Sequence, residues 1–280
     1  MKRFFILTNV FALSAAFSFA DNPTADDYFE SGMDKLSAKH YDDAIADFDS
    51  AIALDQDYAA AYYKRGLAYF FENDYATALR DFDHYLTMNP RDENGFYDRA
   101  SCFQKMEMRQ AAINDLNKCL TLKPRFVNAL IKRGNLYFEL NMPDSALLDY
   151  SAYIGFRPTS EKGYYNRGIV YKQQKQFELA VADYKKAIEL SPNFQEVYTA
   201  AGSALVAMGR YTESMPYITK ALELNQRDGD AYYNLGVAYS NTGKPDLACE
   251  NFKQGAALNQ QDAVKEYFNA CGKVLTKSSN

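Results

Sequence analysis

The sequence predicts an all-α chain made of seven tandem helix–turn–helix units, and three observations predict it. Columns of residues recur every 34 positions without a gap from Ala25 to Asp262. Each cycle holds two amphipathic helical patterns around a short polar turn, such as Glu72-Asn73-Asp74 or Gln174-Lys175-Gln176. A Pro closes the second pattern in four cycles (Pro90, Pro124, Pro158, Pro192), where it cannot extend a hydrogen-bond ladder. The units fall at 25–58, 59–92, 93–126, 127–160, 161–194, 195–228 and 229–262.

In the first helix of each unit, one column reads Gly32, Gly66, Ala100, Gly134, Gly168, Gly202 and Gly236, and another reads Tyr28, Tyr62, Phe96, Leu130, Tyr164, Tyr198 and Tyr232. In the second helix, Ala44, Ala78, Ala112, Ala146, Ala180, Ser214 and Ala248 form a small column. Phe48, Phe82, Leu116, Tyr150, Tyr184, Ile218 and Phe252 form a bulky one. Small columns let two helix backbones approach, and the bulky ones fill the space beside that contact. In period, columns and terminal Pro the chain resembles an array of tetratricopeptide repeats over 238 of its 280 residues. The resemblance implies a right-handed α-solenoid and says almost nothing about reaction or ligand.

The ends read as finished. Residues 263–276 place Val264, Tyr267, Phe268, Cys271, Val274 and Leu275 on one face, with Lys265, Glu266, Asn269 and Lys273 opposite. This is a capping helix on the seventh unit. Ser31, Asp34 and Lys35 give the first unit a polar outer side, and 277–280 form a tail.

Met1-Lys2-Arg3 precedes an uncharged run from Phe4 to Ala20, and Ser18-Phe19-Ala20 puts small residues before Asp21. This is the pattern of a cleaved secretory signal over 1–20, with 21–24 as a short linker. An uncleaved anchor, a buried helix and a transit peptide fit less well. The run is broken by Thr8, Asn9 and Ser14, a membrane span needs roughly 20 strongly apolar residues, and positive charge stops at Arg3. No Cys follows the site, so lipid attachment there is not expected. The expected location is the periplasm, or the exterior. Net charge is −5 and becomes −7 without Lys2 and Arg3; ten acids against two lysines in 25–58 hold most of it. Such a chain has no basic footprint for nucleic acid, and no membrane span is expected in the mature protein.

Catalysis is not expected. His40 and His84 read as surface histidines, and no phosphate-cradling Gly loop, nucleophile elbow or metal-spaced His/Cys cluster occurs. No cofactor or metal is expected. Four cysteines permit bridges between Cys102 and Cys119 and between Cys249 and Cys271. The second is favoured because it would fasten the cap, though Cys119 also reads as a small packing residue.

Arg65, Arg99, Arg133 and Arg167 share one column, and Asp81, Asp115, Asp149 and Asp183 another, sixteen residues on. Both columns fail together in the last two units, where Ala201 goes with Tyr217 and Leu235 with Asn251. This correlated loss reads as structural ion pairs across each hairpin. The first unit departs, with Asp47 but Ser31.

The resemblance implies a concave face lined by first helices and occupied by a protein or peptide partner. Carried over by position, this face holds Tyr63, Lys64, Leu67, Phe71, Tyr97, Ile131, Lys132, Asn135, Phe138, Tyr165 and Asn166, with Lys172 among its polar members, and is centred on repeats two to five. A column through Phe29, Tyr63, Tyr97, Tyr165 and Tyr233 either faces this groove or packs between units. The Lys/Asn clamp that some members use for C-terminal carboxylates is incomplete: Tyr63 with Leu67, or Ile131 with Asn135, stands in its place. The Asn ladder of other members is interrupted, with Ala200 between Asn166 and Asn234. The expected function is a non-catalytic scaffold in the cell envelope. The alternatives are a self-associating structural component, hence a homo-oligomer, and a separate regulatory subunit of an enzyme.

Overall fold

The structure is a computed structural model describing residues 22–271. The leader expected at 1–20, Asp21, the end of the expected cap and the tail lie outside the described residues. Among the described residues the structure is helical, with no strand: the all-α solenoid the columns imply. The chain divides into two compact units, one up to Met88 and one from Asn89. The first holds the hairpins α1 (Ala25–Ser37) with α2 (Tyr41–Leu54) and α3 (Ala59–Phe71) with α4 (Tyr75–Met88). The second opens with α5 (Glu93–Lys105), α6 (Arg109–Leu122), α7 (Val127–Glu139), α8 (Pro143–Phe156), α9 (Glu161–Gln173) and α10 (Phe177–Leu190). It continues with α11 (Gln195–Ala207), α12 (Tyr211–Leu224), α13 (Gly229–Asn241), α14 (Pro245–Ala257) and the short α15 (Gln261–Glu266). No described helix is long and apolar enough to cross a membrane.

Local chemistry sets the helix boundaries. Thr24 and Asp27 form a reciprocal capping box at α1: the Asp27 amide donates to Thr24 Oγ1 at 3.2 Å, and the Thr24 amide to Asp27 Oδ2 at 2.7 Å. Asp92 and Asp228 cap α5 and α13. Pro143 and Pro245 open α8 and α14, where a missing N–H costs nothing. Every first helix ends in one motif. A residue with φ between 55° and 76° stands at 39, 73, 107, 141, 175, 209 and 243. The amide after it reaches back to close the last turn, as His40 does to the Lys35 carbonyl at 2.9 Å and Arg210 to Leu205 at 2.9 Å. Only Gly209 and Gly243 meet this left-handed demand with glycine.

Within each hairpin the glycine column lies directly under the bulky column. A Cβ at Gly134 would come within 2.8 Å of the Tyr150 ring, and one at Gly168 within 2.6 Å of Tyr184. Phe48, Phe82, Leu116, Tyr184, Ile218 and Phe252 are therefore fully or almost fully buried. Ala100, the one larger member of the small column, stands sixteen residues before Leu116, a non-aromatic partner.

Four arginines clamp their hairpins with paired bonds. Nε and Nη2 donate to the two carboxylate oxygens of Asp81 from Arg65 (2.8 and 2.6 Å), of Asp115 from Arg99 (2.7 and 2.7 Å), of Asp149 from Arg133 (2.8 and 2.6 Å) and of Asp183 from Arg167 (2.8 and 2.8 Å). The four aspartates are buried, and parallel two-point bonding is the geometry that best compensates a buried carboxylate. Arg65 also reaches Asp49 of the preceding hairpin, Arg133 reaches Asn117 and Arg167 reaches Ser151. The first hairpin lacks the arginine yet keeps the interaction. Lys35, one helical turn beyond Ser31, donates to Asp47 at 2.6 Å.

At the C-terminal end, the α15 segment packs Ala263 against Gly255 and is followed by one π-helical turn, Tyr267–Cys271. The wider turn breaks the 3.6-residue period on which the sequence placed Phe268 toward the core. Phe268 is instead 72% exposed, while Cys271 is buried and disulfide-bonded to Cys249, with Cα atoms 5.5 Å apart. Cys102 and Cys119 are free and buried, and burial pushes both thiols up to about 12.

Candidate functional site

The inner-face residues named from sequence are spent largely on contacts within and between hairpins. In the first unit, Tyr63 packs on Tyr85 and Phe82, with ring centroids 4.8 and 5.8 Å away, and Lys64 Nζ lies 5.6 Å over the Tyr63 ring. Leu67 is half-buried, and Phe71 is exposed but stacks on Tyr41 at 5.4 Å. In the second unit, Tyr97 stacks on Phe126 at 4.9 Å. Lys132 Nζ sits 4.7 Å from the centroid of the Tyr97 ring and donates to Ser101 Oγ at 2.8 Å. Burial holds that ammonium below its ordinary pKa. Ile131 and Phe138 pack on the cluster of Ala146, Tyr150 and Val170. Asn135 Oδ1 accepts from Tyr150 at 2.7 Å and from Asn166 at 3.2 Å. Tyr165 rests against Phe194 and Tyr184. The aromatic column therefore packs between neighbouring elements, and each of its members remains half-buried.

An open cleft of about 760 Å³ lies further along the second unit, over α9, α11, α13 and the start of α15. Of the eleven inner-face residues carried over by position, only Tyr165 lines it, joined by Lys172. The sixth repeat makes the space. Thr199, Ala200 and Ser203 stand where the fifth repeat carries Tyr165, Asn166 and Ile169. Read along the sequence, Ala200 is an interruption of an Asn ladder; in three dimensions it is part of a floor. Tyr165 and Tyr233 wall that floor on either side.

The cleft's polar groups divide into satisfied and open ones. Asp228 caps α13 through the Ala231 amide at 2.9 Å and accepts from Thr199 Oγ1 and Gln195 Nε2. Gln260 donates to Asp230 at 3.2 Å and caps α15 through the Ala263 amide at 2.6 Å. Asn234 donates to the Asp230 carbonyl at 2.8 Å. Lys172, Glu196, Arg227 and Asp262 have no ion pair among the described residues. Burial lowers the Lys172 pKa against the pull of Asp230. No group of three His, Cys, Asp or Glu among the described residues could hold a metal ion.

Family models of the tetratricopeptide repeat match 59–92, 94–126 and 195–228, and also 161–194, 217–250 and 36–70. The chain belongs to the tetratricopeptide repeat family. The matches at 36–70 and 217–250 are out of phase with the hairpins, the first pairing α2 with α3 and the second running from the middle of α12 through α13 into α14, as a uniform repeat allows. Solved tetratricopeptide repeat proteins share the fold. The C-terminal part of one from Cytophaga hutchinsonii has a TM-score of 0.72 at 20% identity, over 85% of this chain and 98% of that one. One from Parabacteroides merdae gives 0.64 at 18%, over 88% and 98%. YrrB, described as having an unusual peptide-binding site, gives 0.57 at 22%, over 64% and 93%. No curated protein matches. Tetratricopeptide repeat proteins bind protein partners and are generally non-catalytic scaffolds.

Proposed function

We propose that this protein is a non-catalytic adaptor that holds a segment of a partner protein against the first helices of its repeats. The observation that carries this reading is the cleft over α9, α11 and α13, where Lys172, Glu196, Arg227 and Asp262 have no ion-pair partner among the described residues. Unpaired polar groups beside half-buried aromatic rings are what an interface needs for both area and direction. A row of preformed hairpins keeps the ordering cost of binding low, and the peptide-binding site named for YrrB is a precedent within the same fold.

Export to the cell envelope is part of the proposal. It rests on the leader pattern at 1–20 and is supported by the Cys249–Cys271 bridge, a bond kept in oxidising compartments. Two measurements test the pair of statements. Photocrosslinking in cells from Thr199 or Ser203 should capture a partner that the same probe at the outward Leu148 does not; capture only from Leu148 overturns the binding face. The N-terminus of protein from the envelope fraction should be Asp21, and cytosolic protein retaining Met1 overturns export.

A further inference from the structure

We infer that the cleft of the second unit selects an extended segment bearing two basic side chains about five or six residues apart. The inference rests on the adaptor reading above and adds the chemistry of the occupant.

The walls carry the argument. Tyr165 on α9 and Tyr233 on α13 flank α11 in the lining of the cleft, which also holds Glu196 in the first turn of α11 and Asp262 in the first turn of α15. The lining thus brings half-buried tyrosine rings together with carboxylates that have no ion pair among the described residues, the combination that receives a lysine or arginine side chain. The electrostatics agree: after burial, Glu196 is the charge that raises the Tyr165 hydroxyl pKa, and Asp262 with Glu266 raises that of Tyr233. The sixth repeat provides only Thr199, Ala200 and Ser203 between the walls, so a backbone can pass close to the floor. Lys172 and Arg227 are cations of the cleft with no ion pair among the described residues, and carbonyl oxygens of a passing chain would supply acceptors.

Spacing follows from the fold. Helix α11 lies between α9 and α13 and touches both. Two helix-to-helix steps of about 8–10 Å separate the helices of Tyr165 and Tyr233 by roughly 16–20 Å. At about 3.3 Å per residue, an extended chain covers that in five or six residues. The equivalent faces of repeats three and four offer no such seat, because Lys132 already covers Tyr97 and Asn135 already holds Asn166.

The test uses the full chain and a fluorescein-labelled, end-blocked Gly/Ser decapeptide with two lysines five residues apart, read by anisotropy. Two control peptides carry glutamates at the same positions or adjacent lysines. The spaced-lysine peptide should bind at least about tenfold more tightly than either control, and should weaken with salt. Glu196→Gln and Asp262→Asn should each weaken it several-fold, and the outward Lys220→Ala should not. Both rim residues are exposed, so circular dichroism should show these variants folded. Tighter binding of the glutamate peptide, equal binding of all three, binding indifferent to both rim substitutions, or no binding of any peptide would overturn the inference. The crosslinking result from Thr199 and Ser203 is independent of these peptides, so the adaptor reading can survive the loss of this one.

Discussion

Repeats three to five and repeats six and seven share one backbone plan and differ in what fills it. In the former, a buried arginine–aspartate clamp joins the helices of every hairpin, and the inner face is occupied by the chain's own side chains. In the latter both clamp residues are gone. Ala201 and Leu235 are buried in apolar clusters that also include Tyr217, and Asn251 turns back to the Leu247 carbonyl. The open cleft overlaps this second region. The clamp is thus one of two interchangeable solutions to the same packing problem, and in the sixth repeat the apolar one coincides with a first-helix face stripped to Thr199, Ala200 and Ser203.

The largest expected effect separates a broken clamp from a replaced one. Asp115→Ala strands Arg99 and should cost about 3–5 kcal/mol, seen as a clear fall in Tm and in the denaturant midpoint. Arg133→Leu combined with Asp149→Asn copies the seventh repeat and should cost far less than Asp149→Asn alone. If the double substitution is as damaging as the single one, the two interiors are not interchangeable.

A smaller effect concerns the region without clamps, where the Cys249–Cys271 bridge ties α14 to the segment after α15. Its reduction should remove about 2–4 kcal/mol, read as lost hydrogen-exchange protection in 229–266. Repeats three to five should keep theirs. A uniform loss, or none, would mean the end is held by the same forces as the middle.

The smallest effect lies among the bulky residues of the clamped region. Tyr150→Phe removes the hydroxyl that Asn135 accepts and should cost about 1 kcal/mol. Tyr184→Phe removes a buried hydroxyl with no partner, because Ile169 stands where Asn135 does one repeat earlier; it should be neutral or slightly stabilising. Thermal denaturation of the two variants side by side decides the sign.

The repeats were legible because size and period survive in a linear string: glycine under Tyr150, and arginine sixteen residues before aspartate. What the string hides is reach. Lys35 satisfies Asp47 from outside the arginine column because its side chain spans a helical turn, so Ser31 looked like a loss that was none. The cleft is hidden for a related reason. Thr199, Ala200 and Ser203 interrupt the columns that define the inner face, and a gap in a pattern reads as absence when it is space. The π-helical turn at Tyr267 leaves no compositional mark, and with it went the orientation of Phe268.

The left-handed residue that ends each first helix gives the array seven fixed addresses at which local stability can be set. Glycine already occupies two of them, while Lys39, Glu107 and Lys175 hold a backbone shape that disfavours side chains by about 1–2 kcal/mol. Placing glycine at any of these three would strengthen one hairpin without touching an inner-face residue. Because such rows open as coupled neighbours, that choice would decide where unravelling begins and which stretch of the chain lets go last.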